Sequence, residues 1–141
     1  MDITRGDRFV IGAVPGGSRV VAVASAGTVT GERIAGTLVG PGADWTVLGA
    51  DGVAQIDVRT QIGTPDGATI YVQYVGVLEL NDRVGAALRD PALETSFDDQ
   101  YCRTTMRLES GHERYAWVNR TVFVARGRLI GRGVHYEVYR L

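Results

Sequence analysis

The sequence predicts an all-β domain that closes into a single antiparallel barrel of about nine strands. Three observations predict it. Short runs rich in valine, isoleucine, threonine and tyrosine carry the residue types that pack well on a pleated surface. Nineteen glycines are scattered between these runs rather than repeated, so turns recur along the whole chain. Helical periodicity is nearly absent, and a long open sheet would carry two exposed edges that closure removes.

The expected strands, in order, are Arg8–Ala13, Arg19–Thr30, Glu32–Val39, Trp45–Leu48, Val53–Ile62, Thr69–Leu78, Tyr101–Glu109, Tyr115–Ala125 and Val134–Arg140. Pro15-Gly16-Gly17, Pro41-Gly42, Asp51-Gly52, Pro65-Asp66-Gly67, Ser110-Gly111 and Gly131 supply the positive or fixed φ that tight turns need. The exception is Asn81–Gln100. There Val84, Ala87 and Leu88 fall at three- and four-residue spacing and Pro91 stops continuation, which predicts one short helix near residues 82–89, placed to cap a barrel mouth.

At 141 residues, with no linker or composition shift, the chain reads as one domain over residues 1–141. A domain of this size buries about two-thirds of its unfolded surface and needs no staple. Cys102 is the single cysteine and cannot make an internal bridge. No opening apolar run resembles a signal peptide or membrane span, so the expected compartment is the cytoplasm, with no membrane partner. The fifteen basic residues are all arginine, which codon bias explains as well as selection does. Against sixteen acidic residues they leave a net charge of −1, which excludes an overall basic field for nucleic acid.

Side chains alternate across a strand. In Val53–Ile62, Gln55, Asp57, Arg59 and Gln61 share one face, opposite Ala54, Ile56, Val58 and Ile62. Tyr71 and Gln73 oppose Ile70, Val72 and Tyr74; Arg103, Thr105 and Arg107 oppose Cys102, Thr104 and Met106; Tyr115, Trp117 and Asn119 oppose Ala116 and Val118. Two readings stand side by side. The polar faces meet water while the aliphatic ones form the core, or the polar faces line a lumen, a reading that Trp117 and Tyr71 favour as amphipathic groups suited to shelter. A small barrel can hold one ligand among such side chains.

Several stretches together resemble a known family. They are Gly31-Glu32-Arg33 through Gly36, Pro41-Gly42-Ala43-Asp44-Trp45, Asp51-Gly52-Val53 with Asp57 and Arg59, and Asp66-Gly67-Ala68-Thr69-Ile70-Tyr71-Val72 to Gly76. They continue with Tyr101-Cys102-Arg103-Thr104-Thr105, Tyr115 through Val124, and Tyr136-Glu137-Val138-Tyr139. In order and spacing the chain is similar to the bacterial and fungal domain of unknown function 3237. The resemblance implies a compact, lipocalin-like β-barrel. It also implies a link to natural-product genes, in which redox-free cyclase or isomerase roles are suspected, and this is the main reason to favour an enzyme. The match departs at Met1-Asp2-Ile3, where part of the family's usual first strand is lacking, so closure near Arg8 is the weakest point of the predicted barrel.

The candidate catalytic residues are Asp57, Asp44, Tyr71, Arg103 and Asn119. Asp57 and Arg59 would share a space in which a guanidinium keeps a carboxylate ionised and able to take a proton. If exposed, they are a plain ion pair. Asp44 follows a Pro-Gly turn and should diverge from Trp45; turn formation is the ordinary role for such an aspartate, and its place in the family motif ranks it nearly level with Asp57. Tyr71, Arg103 and Asn119 offer a donor, a cation and an amide for developing negative charge, and matter only if they converge on one cavity. The expected ligand contacts are Arg59, Trp45, Gln73, Tyr74 and Trp117, the aromatic ones equally readable as core or cavity wall.

Other spellings carry no function. Arg5-Gly6-Asp7 is an adhesion tripeptide by letters alone, Asn119-Arg120-Thr121 is a glycosylation acceptor inside a predicted strand, and Gly127 to Gly133 opens no helix and reads as a hairpin connection. His112 and His135 lack partners at ligand spacing, so no metal and no nucleotide cofactor is expected. The expected partner is a small molecule. The leading expectation is a cofactor-independent enzyme acting on an aromatic or polyketide-like molecule by acid–base cyclisation, isomerisation or elimination. A non-catalytic carrier is the alternative, and a structural subunit with a filled lumen a third reading. A homodimer is compatible with a small barrel, although no residue marks its interface.

Overall fold

The computed structural model describes residues 1–141. The elements in order are β1 (Asp2–Val14), β2 (Gly17–Val29), β3 (Gly36–Leu38), β4 (Ala43–Asp44), β5 (Val47–Leu48), β6 (Val53–Gly63) and β7 (Thr69–Glu79). Helix α1 (Asp82–Arg89), β8 (Cys102–Glu109), a 3₁₀ helix (Glu113–Arg120), β9 (Phe123–Ile130) and β10 (Gly133–Arg140) follow. All strands are antiparallel. They pair in the order β1-β10-β9-β8-β7-β6, then β3, β4 and β5, which together fill one position between β6 and β2, and β2 returns to β1. The sheet therefore closes into a ring, through a β1–β10 pairing of three residues on each strand.

The hairpin β6–β7 runs without interruption from Val53 opposite Glu79 to Gly63 opposite Thr69. Its turn is held by the Thr64 hydroxyl, which accepts from the Ala68 amide at 3.0 Å, with Gly67 at φ 83°. Helix α1 starts where Asn81 accepts from the Val84 amide at 3.0 Å and covers one end of the ring, its Val84 and Ala87 packing beside Leu129.

Four strand expectations are corrected. Glu32–Val39 is extended and paired only over Gly36–Leu38, and Trp45–Leu48 gives way to β4 and β5. Tyr115–Ala125 is the largest change. Its first half is the 3₁₀ helix, because Tyr115 and Val118, three residues apart, stack on one buried face of a helix with three residues per turn. The local preference of its aromatic and β-branched residues for strand loses to that packing. Likewise Gly127–Ile130 belongs to β9, leaving only Gly131-Arg132 as the hairpin turn, with Gly131 at φ 45°. At the chain start the strand begins at Asp2, ahead of the expected Arg8. Asp2–Thr4 pair with His135–Gly133 of β10 and complete the ring.

The alternating faces also resolve. Ala54, Ile56, Val58, Thr60 and Ile62 of β6, Ile70, Val72 and Tyr74 of β7, and Cys102, Thr104, Met106 and Leu108 of β8 are buried, and the core they form fills much of the ring. The polar faces look outward. The expectation of a lumen lined by Asp57, Arg59, Tyr71, Gln73 and Arg103 is therefore overturned, for a physical reason: inside, that row would put several charges into an apolar space with too few partners.

Candidate functional site

One carboxylate does enter the ring. Asp44 lies opposite Ala22 on β2 and Val58 on β6, both inward positions, so its side chain turns inward while Trp45 turns out. The brief β4 pairing that sets this direction follows from the Pro41-Gly42 break; a Cβ at Gly42 would sit 2.6 Å from the Thr60 hydroxyl. The Asp57 amide donates to Asp44 Oδ1 at 3.2 Å. Burial pushes the Asp44 carboxyl up to about 6; the Asp57 amide and the Arg19 charge oppose that, while the Asp57 charge adds to it.

Tyr74 of β7 and Tyr136 of β10 meet edge to face beyond it, with ring centroids 5.3 Å apart. Burial holds both hydroxyls above the ordinary tyrosine range, and the Asp44 charge pushes each in the same direction. Cys102 of β8 joins the group, its thiol pushed up to about 11 by burial. Gly127 makes room for this cluster, since a Cβ there would lie 2.8 Å from the Cys102 sulfur and 2.9 Å from the Tyr136 ring. Gln100 donates to the Gly127 carbonyl at 3.0 Å, yet its own Oε1 and the Thr104 hydroxyl are buried without partners.

Open space surrounds the cluster. A chamber of about 150 Å³ at the α1 end is walled by Val20, Leu48, Ile56, Leu78, Leu129 and Asp44, with Arg5 and Arg8 also lining it. A recess of about 50 Å³ continues past Asp44 to Tyr74. A wider space of about 520 Å³ opens at the other end, against Trp117, Phe123, Met106 and Arg33. Tyr136 borders all three and is the one residue common to the two larger spaces.

Of the residues expected from sequence, Asp44 and Tyr74 come together here. The others do not. Asp57 and Arg59 form an outward ion pair at 3.1 Å, their side chains 36% and 42% exposed, so the plain reading applies. Arg59 also sits 5.6 Å from the exposed Trp45 ring. Tyr71 and Gln73 share the outward face of β7, and Arg103 lies outside against the Tyr101 ring at 4.9 Å. Asn119 commits its amide to Ser110, accepting from its N–H and donating to its carbonyl, both at 2.9 Å, which ties the 3₁₀ helix to the end of β8. Trp117 borders the opposite space, with the Arg33 guanidinium 3.7 Å above its ring.

Tyr136, Cys102, Gln100, Arg5 and Arg8 were not anticipated as site residues. Equal parity with the buried aliphatic face marks Cys102. Nothing local marks the rest. No three His, Cys, Asp or Glu side chains converge as a metal-binding group, and no helix is long and apolar enough to cross a membrane.

Comparison with known proteins sets this geometry in a family. The model of the protein family of unknown function DUF3237 matches residues 1–141. A UPF0311 protein of Rhodopseudomonas palustris is 31% identical over 123 residues, covering 84% of this chain and 77% of its own. The crystal structure of that conserved protein of unknown function superposes with a TM-score of 0.87 over 99% of this chain and 91% of its own, at 27% identity. A beta-barrel like protein of Acinetobacter baumannii gives 0.81 at 28% identity, over 99% and 90%. An enzyme of Penicillium herquei gives 0.70 over 100% and 91%, and at 17% identity it shares the fold alone. With its whole length matched and its ring of strands shared with solved relatives, the chain belongs to the DUF3237 family.

Proposed function

We propose that the ring works as a lipocalin-like barrel whose Asp44 chamber receives a small aromatic or polyketide-like molecule and moves protons on it, with no redox step. The observation that carries this is the single carboxylate facing an apolar chamber, beside two buried tyrosines. A carboxyl poised near 6 is part ionised at neutral pH and can both take and return a proton. Asp44 would remove a proton from an acidic C–H or O–H of the ligand. A Tyr74 or Tyr136 hydroxyl, neutral at any physiological pH, would donate to the oxyanion that develops. Cyclisation, isomerisation and elimination all need such a base and donor. The roles first sought in Asp57, Tyr71, Arg103 and Asn119 thus move to the interior. That the fold hosts catalysis in Penicillium herquei supports the reading by analogy.

The mainly apolar chamber wall favours a second reading, a carrier that only holds the molecule. Asp44→Asn separates the two. For the enzyme, ligand binding persists in the variant while turnover falls by at least about a hundred-fold, and wild-type kcat/KM declines as pH drops through about 6. A wild-type protein that binds such ligands but converts none of them would leave only the carrier.

A further inference from the structure

The stretch Arg5-Gly6-Asp7-Arg8 contains the sharpest irregularity of the sheet. Arg5 pairs with Ala24 and Arg8 with Ala22, so two steps along β2 are matched by three along β1. In a regular strand residues three apart point to opposite faces. The bulge removes that opposition and turns both arginines to the same chamber, which both of them line. Gly6 permits it, since a Cβ there would stand 2.9 Å from Ser25 Cβ.

Two guanidiniums held together need a reason. Arg5 donates through Nε to the Arg132 carbonyl at 3.2 Å, and neither Arg5 nor Arg8 takes part in any of the chain's ion pairs. Burial first, and then the Arg8 charge, hold Arg5 below the usual guanidinium range, so the pair is left with unanswered positive charge. The planar donors of arginine match a carboxylate in a bidentate geometry. The walls behind them are Val20, Leu48, Ile56 and Leu78, and a space of about 150 Å³ is enough for one benzene-sized ring.

We infer that Arg5 and Arg8 bind the carboxylate of a small aromatic or apolar acid whose body lies in the Asp44 chamber. This names the substrate class for the function proposed above and rests on that reading only for the chamber being the substrate site. The bulge is then the device that builds the anion site, and Asp44 faces the other end of the bound molecule.

Benzoate and benzamide, equal in shape and unequal in charge, test it by chemical-shift titration of the folded protein at about pH 7.5. Benzoate should bind at least about ten-fold more tightly than benzamide, with a preference that shrinks as salt rises. In the double variant Arg5→Gln, Arg8→Gln the two probes should bind alike, benzamide as in the wild type. Arg8→Gln alone, altered at the exposed mouth where folding is safe, should reduce the preference by at least about three-fold. Equal wild-type affinities, no saturable benzoate binding, or a preference undiminished in Arg8→Gln would each overturn the inference. Asp44→Asn should keep or enlarge the preference for benzoate. If it does so while the wild type turns over no substrate, proton transfer at Asp44 fails as a reading and the anion site stands.

Discussion

Two regions on opposite sides of the same backbone carry acidic residues with opposite fates. Outside, Asp57 lies beside Arg59, both partly solvated, in a row continued by Gln73 and Arg107 on the neighbouring strands. Inside, Asp44 faces an apolar chamber, and its direct carboxylate contact is the backbone amide of that same Asp57. The outer row is richer in charge and poorer in chemistry. Water and a paired guanidinium surround Asp57, whereas burial raises the Asp44 carboxyl above its ordinary value.

The contrast is sharpened by replacing residues on each side. Ile70→Ala, at a fully buried position on the inner face, should cost about 3 kcal/mol or more in urea denaturation, through lost burial and the cavity left behind. Asp44→Asn should act in the other direction and depend on pH. A carboxyl whose folded value of about 6 lies above its ordinary 3.8 contributes stability that is complete below about 3.8 and is lost as pH rises through about 6. The amide has no such loss. The variant should therefore gain on the wild type by up to about 3 kcal/mol between about pH 4 and about pH 8, and a constant difference across that range would show Asp44 to be solvated.

Asn119→Ala should cost about 1–2 kcal/mol, since it strips two hydrogen bonds from the Ser110 backbone. Smallest of all, Asp57→Asn and Arg103→Ala should each change stability by less than about 1 kcal/mol, as exposed charged side chains do. A large effect at either would contradict the outward placement of the polar row.

How much of this could be read from sequence differs element by element. The β6–β7 hairpin was legible because eleven alternating residues on either side of a Pro-Asp-Gly turn admit one register. Helix α1 was legible from its three- and four-residue spacing and matches Asp82–Arg89. Parity shows which residues share a face, but not whether that face looks inward, so Asp57, Arg59 and Tyr71 were grouped correctly and pointed wrongly. The 3₁₀ helix hid because Tyr115, Trp117 and Asn119 also fit a strand period. The β1 bulge hid for a different reason: it is a mismatch between two strands and has no signature in either alone. Asp44 could be flagged by its motif, whereas its companion Tyr136 comes from the far end of the chain and is brought to it only by closure of the ring.

That closure has a consequence in time. The seam between β1 and β10 is short, Asp2–Thr4 against Gly133–His135, and joins residues as far apart as the 133 positions between Asp2 and His135, whose side chains meet at 2.5 Å. During synthesis the ring cannot shut until β10 has been made. Such distant pairing makes folding slow relative to helical proteins of the same length. Because Tyr136 is carried by the strand that shuts the seam, the interior cluster of Asp44, Tyr74 and Tyr136 is complete only once that seam has formed.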